Sequence, residues 1–225
     1  MNIIANAKKY TLILFLAGMS NAYAAPMVLD FEGLDDLESI GDFYNGGTSQ
    51  NGNSGTNFGV AFSQNTLAII DSDASGSGNF GGEPSPDTIM FFLTGADAIM
   101  NVAAGFDTGF SFFYSAINNA GSVNVFDELN GTGNILASLN IPITSSDGGD
   151  PNGQFSPFFD IGVAFSGTAM SVSFAGVQNQ IGFDNITFGS DTPGGATTAI
   201  PEPSGLLLFG LGLAGIYFSR KKKLV

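Results

Sequence analysis

Between Ala25 and Ser219 this chain has no lysine, no arginine and no histidine. All 20 of its acidic residues lie in that same stretch. No carboxylate there can be offset by an ion pair within the stretch, and like charges repel one another across any compact fold. Apolar burial and hydrogen bonding must therefore outweigh a one-signed field. Hard cations with oxygen ligands, chiefly Ca²⁺, are the natural compensation.

The same one-sidedness excludes whole classes of function. Nucleic-acid binding rests on Lys and Arg contacts to phosphate, so a nucleic-acid partner is not expected. Without His or Cys, neither a Ser-His-Asp nor a Cys-His site can form, nor a zinc site built on those ligands. The chain has no Cys at all, so no disulfide braces it. Two carboxylates alone can hydrolyse a glycoside. Sugar sites usually stack rings on exposed aromatics, however, and this body offers no Trp and only Tyr44 and Tyr114. The expectation is a protein without catalytic activity.

Local patterning points to an all-β domain. Met170, Val172 and Phe174 alternate with Ser171 and Ser173, Phe110, Phe112 and Tyr114 with Ser111 and Ser115, and Val123 and Val125 with Ser122 and Asn124. This is the period of a half-buried strand. Similar segments, separated by Gly, Asn, Asp and Ser clusters, predict strands over 27–31, 40–44, 58–63, 67–70, 88–93, 99–104, 109–114, 122–126, 135–140, 158–165, 169–174 and 181–188. Strands with one apolar face need a second sheet to cover them. Nineteen of the 22 Phe fall in the body and supply the filling. A jelly-roll-like β-sandwich over 25–189 follows. A β-helix would need a fixed repeat, and none is present.

All six basic residues sit in two terminal segments. Residues 1–24 read as a signal peptide. Lys8 and Lys9 precede the apolar run Leu12 to Met19, and Ala22-Tyr23-Ala24 supplies the small-x-small pattern for signal peptidase, which cuts after Ala24. Residues 190–199 form a Gly/Thr-rich spacer. Next come Pro201-Glu202-Pro203, an unbroken apolar run from Leu206 to Phe218, and Arg220, Lys221, Lys222 and Lys223. The prolines hold their segment extended. The 13-residue run makes ~20 Å of helix at ~1.5 Å per residue; with Ser204, Gly205 and Ser219 and snorkelling basic side chains it predicts one short transmembrane helix over 204–219. The basic tail 220–223 stays in the cytoplasm by the positive-inside rule.

This order of parts, Pro-Glu-Pro, short apolar helix, basic cluster, resembles the PEP-CTERM sorting signal of Gram-negative bacteria. The resemblance covers about the last 27 residues. It implies recognition and removal of the tail by the membrane protease-transpeptidase exosortase. It also implies a transient stay in the inner membrane, then delivery to the cell surface or the extracellular polysaccharide matrix. It says nothing of what the body does there.

Within the body, four acidic segments are candidate sites. Asp71, Asp73 and Ser75, followed by Gly76, match the opening of a calcium loop. The match then lapses, because position twelve is Gly82 and the acid, Glu83, follows one place later. A second constellation joins the domain's ends: Asp30-Phe31-Glu32 closes the first strand and Gly182-Phe183-Asp184-Asn185 lies in the last. If those strands are neighbours, one carboxylate from each plus backbone carbonyls can hold a cation and staple the termini. This resembles the structural calcium sites of jelly-roll carbohydrate-binding modules, and the resemblance implies Glu32 and Asp184 as side-chain ligands. Asp35, Asp36, Glu38 and Asp42 read as a solvated loop. Asp147 to Gly153 has turn chemistry throughout. The functional expectation is an exported structural or adhesive protein; the alternative is a calcium-dependent carbohydrate-binding module, and extracellular polysaccharide is the expected partner of either.

Overall fold

The computed structural model describes residues 27–149 and 153–194. The signal peptide with Ala22 and Ala24, the helix 204–219, Pro201, Glu202, Pro203 and the tail Arg220 to Lys223 lie outside the described residues. Among the described residues, no helix is long and apolar enough to cross a membrane.

Eleven strands make up the body: β1 (Met27–Leu29), β2 (Val60–Phe62), β3 (Thr66–Ile70), β4 (Thr88–Phe92), β5 (Asp97–Phe106), β6 (Gly109–Ser115), β7 (Gly121–Phe126), β8 (Ile135–Ile141), β9 (Phe159–Ala164), β10 (Ala169–Ala175) and β11 (Gly182–Phe188). One sheet runs β3-β4-β11-β6-β9, with β1 also paired to β11; the other runs β2-β5-β10-β7-β8. Every pairing is antiparallel. Strands β4 to β11 thus form two four-stranded layers, β4-β11-β6-β9 and β5-β10-β7-β8, the strand order of a jelly roll.

The alternation read from the sequence decides which side chains meet between the layers. Phe112 and Phe183 from one sheet and Phe174 from the other are fully buried. Their rings meet edge to face, with centroids 5.0 Å apart for Phe174–Phe183 and 5.6 Å for Phe112–Phe183. Such pairs contribute beyond their buried area. The serines between them face the other way, yet they too are buried. Ser171 receives the Gly131 N–H at 2.9 Å and donates to the Glu128 carbonyl, while Ser173 donates to Asp97 at 2.7 Å.

One predicted strand is absent. Residues 41–46 form turns, closed by the Phe43 N–H on the Ile40 carbonyl and the Asn45 N–H on Asp42. Ile40, Phe43 and Tyr44 are all buried. A strand would send Phe43 and Tyr44 to opposite faces, whereas a turn brings both into the core.

The first sheet is also covered on its outer side. β4 is buried at every position. Ile89 and Phe91 pack there with Ile69 and Phe80 in a second apolar cluster, joined by half-buried Phe155 and Phe158. The segments before β4 and before β9 form this cover, and they frame the site.

Candidate functional site

The last strand, β11, shares one edge between two partners. β4 pairs with it at Phe183, and β1 pairs at Ile186, Thr187 and Phe188. Between them lie Asp184 and Asn185. Asn185 has a φ of 46°, and the pairing to β6 shifts register between Asp184 and Thr187. The chain leaving β1 (Asp30 to Glu32) and the chain entering β4 (Ser85 to Thr88) both converge on this gap. The expectation that first and last strands are neighbours therefore holds, and Glu32 and Asp184 each bond to the chain entering β4.

The geometry of the gap is built from oxygens. Asp184 is fully buried. Its Oδ2 accepts from the Ser85 N–H at 2.9 Å and from the Ser85 hydroxyl at 2.7 Å, and its Oδ1 accepts from the Asn185 N–H at 2.6 Å. Glu32 Oε1 accepts from the N–H groups of Asp87 at 3.0 Å and Thr88 at 2.9 Å. The Ser85 hydroxyl also lies 3.1 Å from the Asp30 carbonyl and 3.3 Å from that of Thr88. Behind it, the Tyr44 hydroxyl accepts from the Phe31 N–H at 2.7 Å and lies 3.3 Å from Asp30 Oδ1.

Among the described residues no Lys, Arg or His side chain is there to face these groups. Burial pushes the Asp184 carboxyl up to about 7, with the charge on Glu32 adding to the rise and the Ser85 and Asn185 donors opposing it. Burial likewise pushes Glu83 up to about 7, helped by the charges of Asp71, Asp184 and Asp73. Asp71, itself buried, is raised by its burial and by Asp73. Glu83 thus stands in the field of both constellations that the sequence presents as separate. Ser75 is exposed, with a φ of 75°. Among the described residues no three Asp or Glu side chains are grouped closely enough to hold a metal ion by themselves.

Sequence reasoning missed three contributors. Ser85 carries no motif, and its role comes from its place before β4. Glu83 stands one position beyond the calcium-loop pattern. Glu38, expected in a solvated loop, is buried and accepts from the Asp35 N–H at 2.6 Å, the Ser49 hydroxyl at 2.8 Å, the Asn53 amide at 3.0 Å and the Asn51 N–H at 3.1 Å. It organises the 35–53 loop from inside. Asp36, from the same segment, accepts the Ile70 N–H at 2.9 Å.

Beside the acidic gap, on the same outer face, lies a half-open cleft of about 350 Å³. Its floor is Ile69, Ile89, Phe91 and Phe155. Its rim carries Asn79, Asn118, Gln154, Asn179 and Gln180. No Asp or Glu is among the described residues that line it. The rim is partly prearranged: the Asn79 side-chain oxygen accepts the Gln154 N–H at 3.2 Å, and Gln180 donates to the Asn179 carbonyl at 2.8 Å.

Comparison with curated proteins returns no match. Among solved structures, a glycoside hydrolase family 43 arabinoxylan arabinofuranohydrolase from Bacillus subtilis is 19% identical over 56% of this chain and 24% of its own, with a TM-score of 0.38. A carbohydrate-binding module of Cellvibrio mixtus lichenase 5A, in complex with cellotriose, is 12% identical over 55% and 86%, with a TM-score of 0.34. The K3 cleaved adhesin domain of Lys-gingipain from Porphyromonas gingivalis is 11% identical over 75% and 94%, with a TM-score of 0.33. This chain therefore spans about a quarter of the hydrolase, and overlaps this loose fix neither a ligand nor an activity. The terminal segment is different: residues 199–222 match the family model of the PEP-CTERM protein-sorting motif, and the chain is a bearer of that sorting signal.

Proposed function

We propose that this is an exported, exosortase-processed β-sandwich that acts by binding, without catalysis, at the cell surface or in the extracellular polysaccharide matrix. The match of residues 199–222 to the sorting motif carries the reading. Signal peptidase removes residues 1–24, and exosortase, a membrane protease-transpeptidase, acts on the C-terminal tail after transient residence in the inner membrane. The confinement of all six cations to the two terminal segments supports this division of labour. The test is a chain lacking residues 204–225, expressed in its native host. Accumulation of an unprocessed or mislocated form is expected; unchanged size, processing and location would overturn the proposal.

Ca²⁺ fits the junction as a structural ion. Glu32, Asp184, the Asp30 and Thr88 carbonyls and the Ser85 hydroxyl form an all-oxygen donor set with no competing cation, the chemistry that Ca²⁺ takes. Asp71, Asp73 and Ser75 make a weaker second candidate, since the exposed Ser75 is not drawn toward the buried Asp71.

The second reading, a calcium-dependent carbohydrate-binding module, is favoured by one observation, the amide-rimmed cleft. In that reading the ion acts at a distance, by tying down the 71–88 segment that carries Asn79 and Phe80 into the cleft wall. A carboxylate-only glycosidase is disfavoured by the same cleft, whose described lining holds no acid.

A further inference from the structure

We infer that the cleft over β4 and β11 takes an uncharged glycan segment and rejects acidic ones. The inference rests on the carbohydrate-binding reading and adds the ligand's chemical class.

Three observations carry it. The first is the rim. A carboxamide offers two donors and an acceptor, and a sugar hydroxyl both donates and accepts. Asn79, Asn118, Gln154, Asn179 and Gln180 therefore present groups that can pair with neighbouring hydroxyls in either sense, and four of the five are exposed to a ligand. The second is the floor. Phe155 is half-buried, so part of its ring is open to the cleft, and Phe91 and Ile69 extend the apolar surface beneath. A pyranose has an apolar C–H face that suits such a floor and a polar equator that suits such a rim. At about 350 Å³ the cleft is at the small end of ligand sites and has room for a short saccharide.

The third is charge. A uronate or sulfated sugar needs a cation to meet it. The body has none, and its carboxylates set up a repulsive field that reaches over about one Debye length, ~8 Å at physiological salt. The wall segment itself carries Asp71, Asp73 and Glu83. A cationic sugar would need a carboxylate in the lining, and among the described residues there is none. The same field draws a cationic sugar toward the surface but offers it no paired carboxylate in the described lining, so the hydroxyl-pairing rim suits an uncharged glycan best.

The test uses the purified full chain in detergent, titrated calorimetrically with neutral gluco-, xylo- and manno-oligosaccharides and, separately, with oligogalacturonate and alginate oligosaccharides. At least one neutral series should bind and neither uronate series should. Gln154→Ala, and separately Asn118→Ala with Gln180→Ala, should each weaken binding about tenfold, the worth of one or two good hydrogen bonds. Asn140→Ala, on β8 of the other sheet, should leave binding unchanged. Uronates binding as tightly as any neutral sugar, no neutral sugar binding to a chain that still melts cooperatively, or rim variants binding like the parent would each overturn the inference. The processing and location of the protein in its host are read separately, so a failure of the sorting proposal is distinguishable from a failure here.

Discussion

Ser85 donates both its backbone N–H, at 2.9 Å, and its hydroxyl, at 2.7 Å, to one oxygen of Asp184, 99 residues further along the chain. This pair of hydrogen bonds to a fully buried carboxylate ties the loop before β4 to the last strand. It also fixes the position of a charge that has no counter-ion in the body.

That charge sets how stability varies with pH. Asp184 and Glu83 stand near 7 in the folded protein, against about 4 for carboxyls of an unfolded chain. Between those values the folded state holds more protons than the unfolded one, so stability falls as pH rises. With chelator present, the thermal midpoint should be higher at pH 5 than at pH 8. Calcium should recover part of the loss at pH 8, because an ion bound only to the folded state adds stability. A midpoint that climbs from pH 5 to pH 8 in chelator, or identical melts with calcium and with chelator, would contradict this account.

Replacing the carboxylate itself should separate its charge from its hydrogen bonds. Asp184→Asn keeps an oxygen for Ser85 but removes the buried charge. It should reduce the pH dependence to the part that Glu83 contributes and abolish the calcium response. Ser85→Ala should instead lower stability by about 1.5–3 kcal/mol, the worth of a hydrogen bond to a charged group, as measured by denaturant unfolding above pH 8. An Asp184→Asn variant that keeps the full calcium response would show that the charge is not what matters.

Glu38 is a structural acid. Glu38→Ala leaves the Asp35 and Asn51 N–H groups and the Ser49 and Asn53 side chains without their acceptor. Loss of about 1–3 kcal/mol is expected, since the buried Ser49 hydroxyl is left unsatisfied while the other three donors can reach water. Protease sensitivity should appear first within 35–53. A variant as stable as the parent would return this acid to the solvent.

The inter-sheet core should behave as a close-packed apolar one. Phe174 touches Phe110, Phe112 and Phe183. Phe174→Ala should cost about 3–5 kcal/mol, through lost transfer energy and the cavity left behind. Exposed Ile135, on the outer edge strand β8, should tolerate the same truncation nearly unchanged. Denaturant midpoints of the two variants give the comparison.

Much of this protein is legible in one dimension. The alternation at 110–114, 122–126 and 170–174 names the residues that later meet between the sheets, because a strand's period of two sorts side chains by face whatever its partners are. The sorting motif is equally local, a linear order of proline, apolar and basic segments. Glu32 and Asp184 stand out through the resemblance to the calcium sites of jelly-roll modules, one acid just after the first strand and one within the last, and first and last strands often pair.

Tertiary structure alone decided the rest. Phe43 and Tyr44 turn rather than extend, since both rings are wanted in one core. Glu38 is drawn inside by four donors that only its folded loop assembles. β1 and β4 divide one edge of β11, and the gap between them gathers Glu32, Ser85 and Asp184. No local preference encodes such a gap, because its parts come from positions 32, 85 and 184 and meet only when the strand order is complete. The amide-rimmed cleft arises in the same way, from residues near 80, 118, 154 and 180 that come together over the outer face of one sheet.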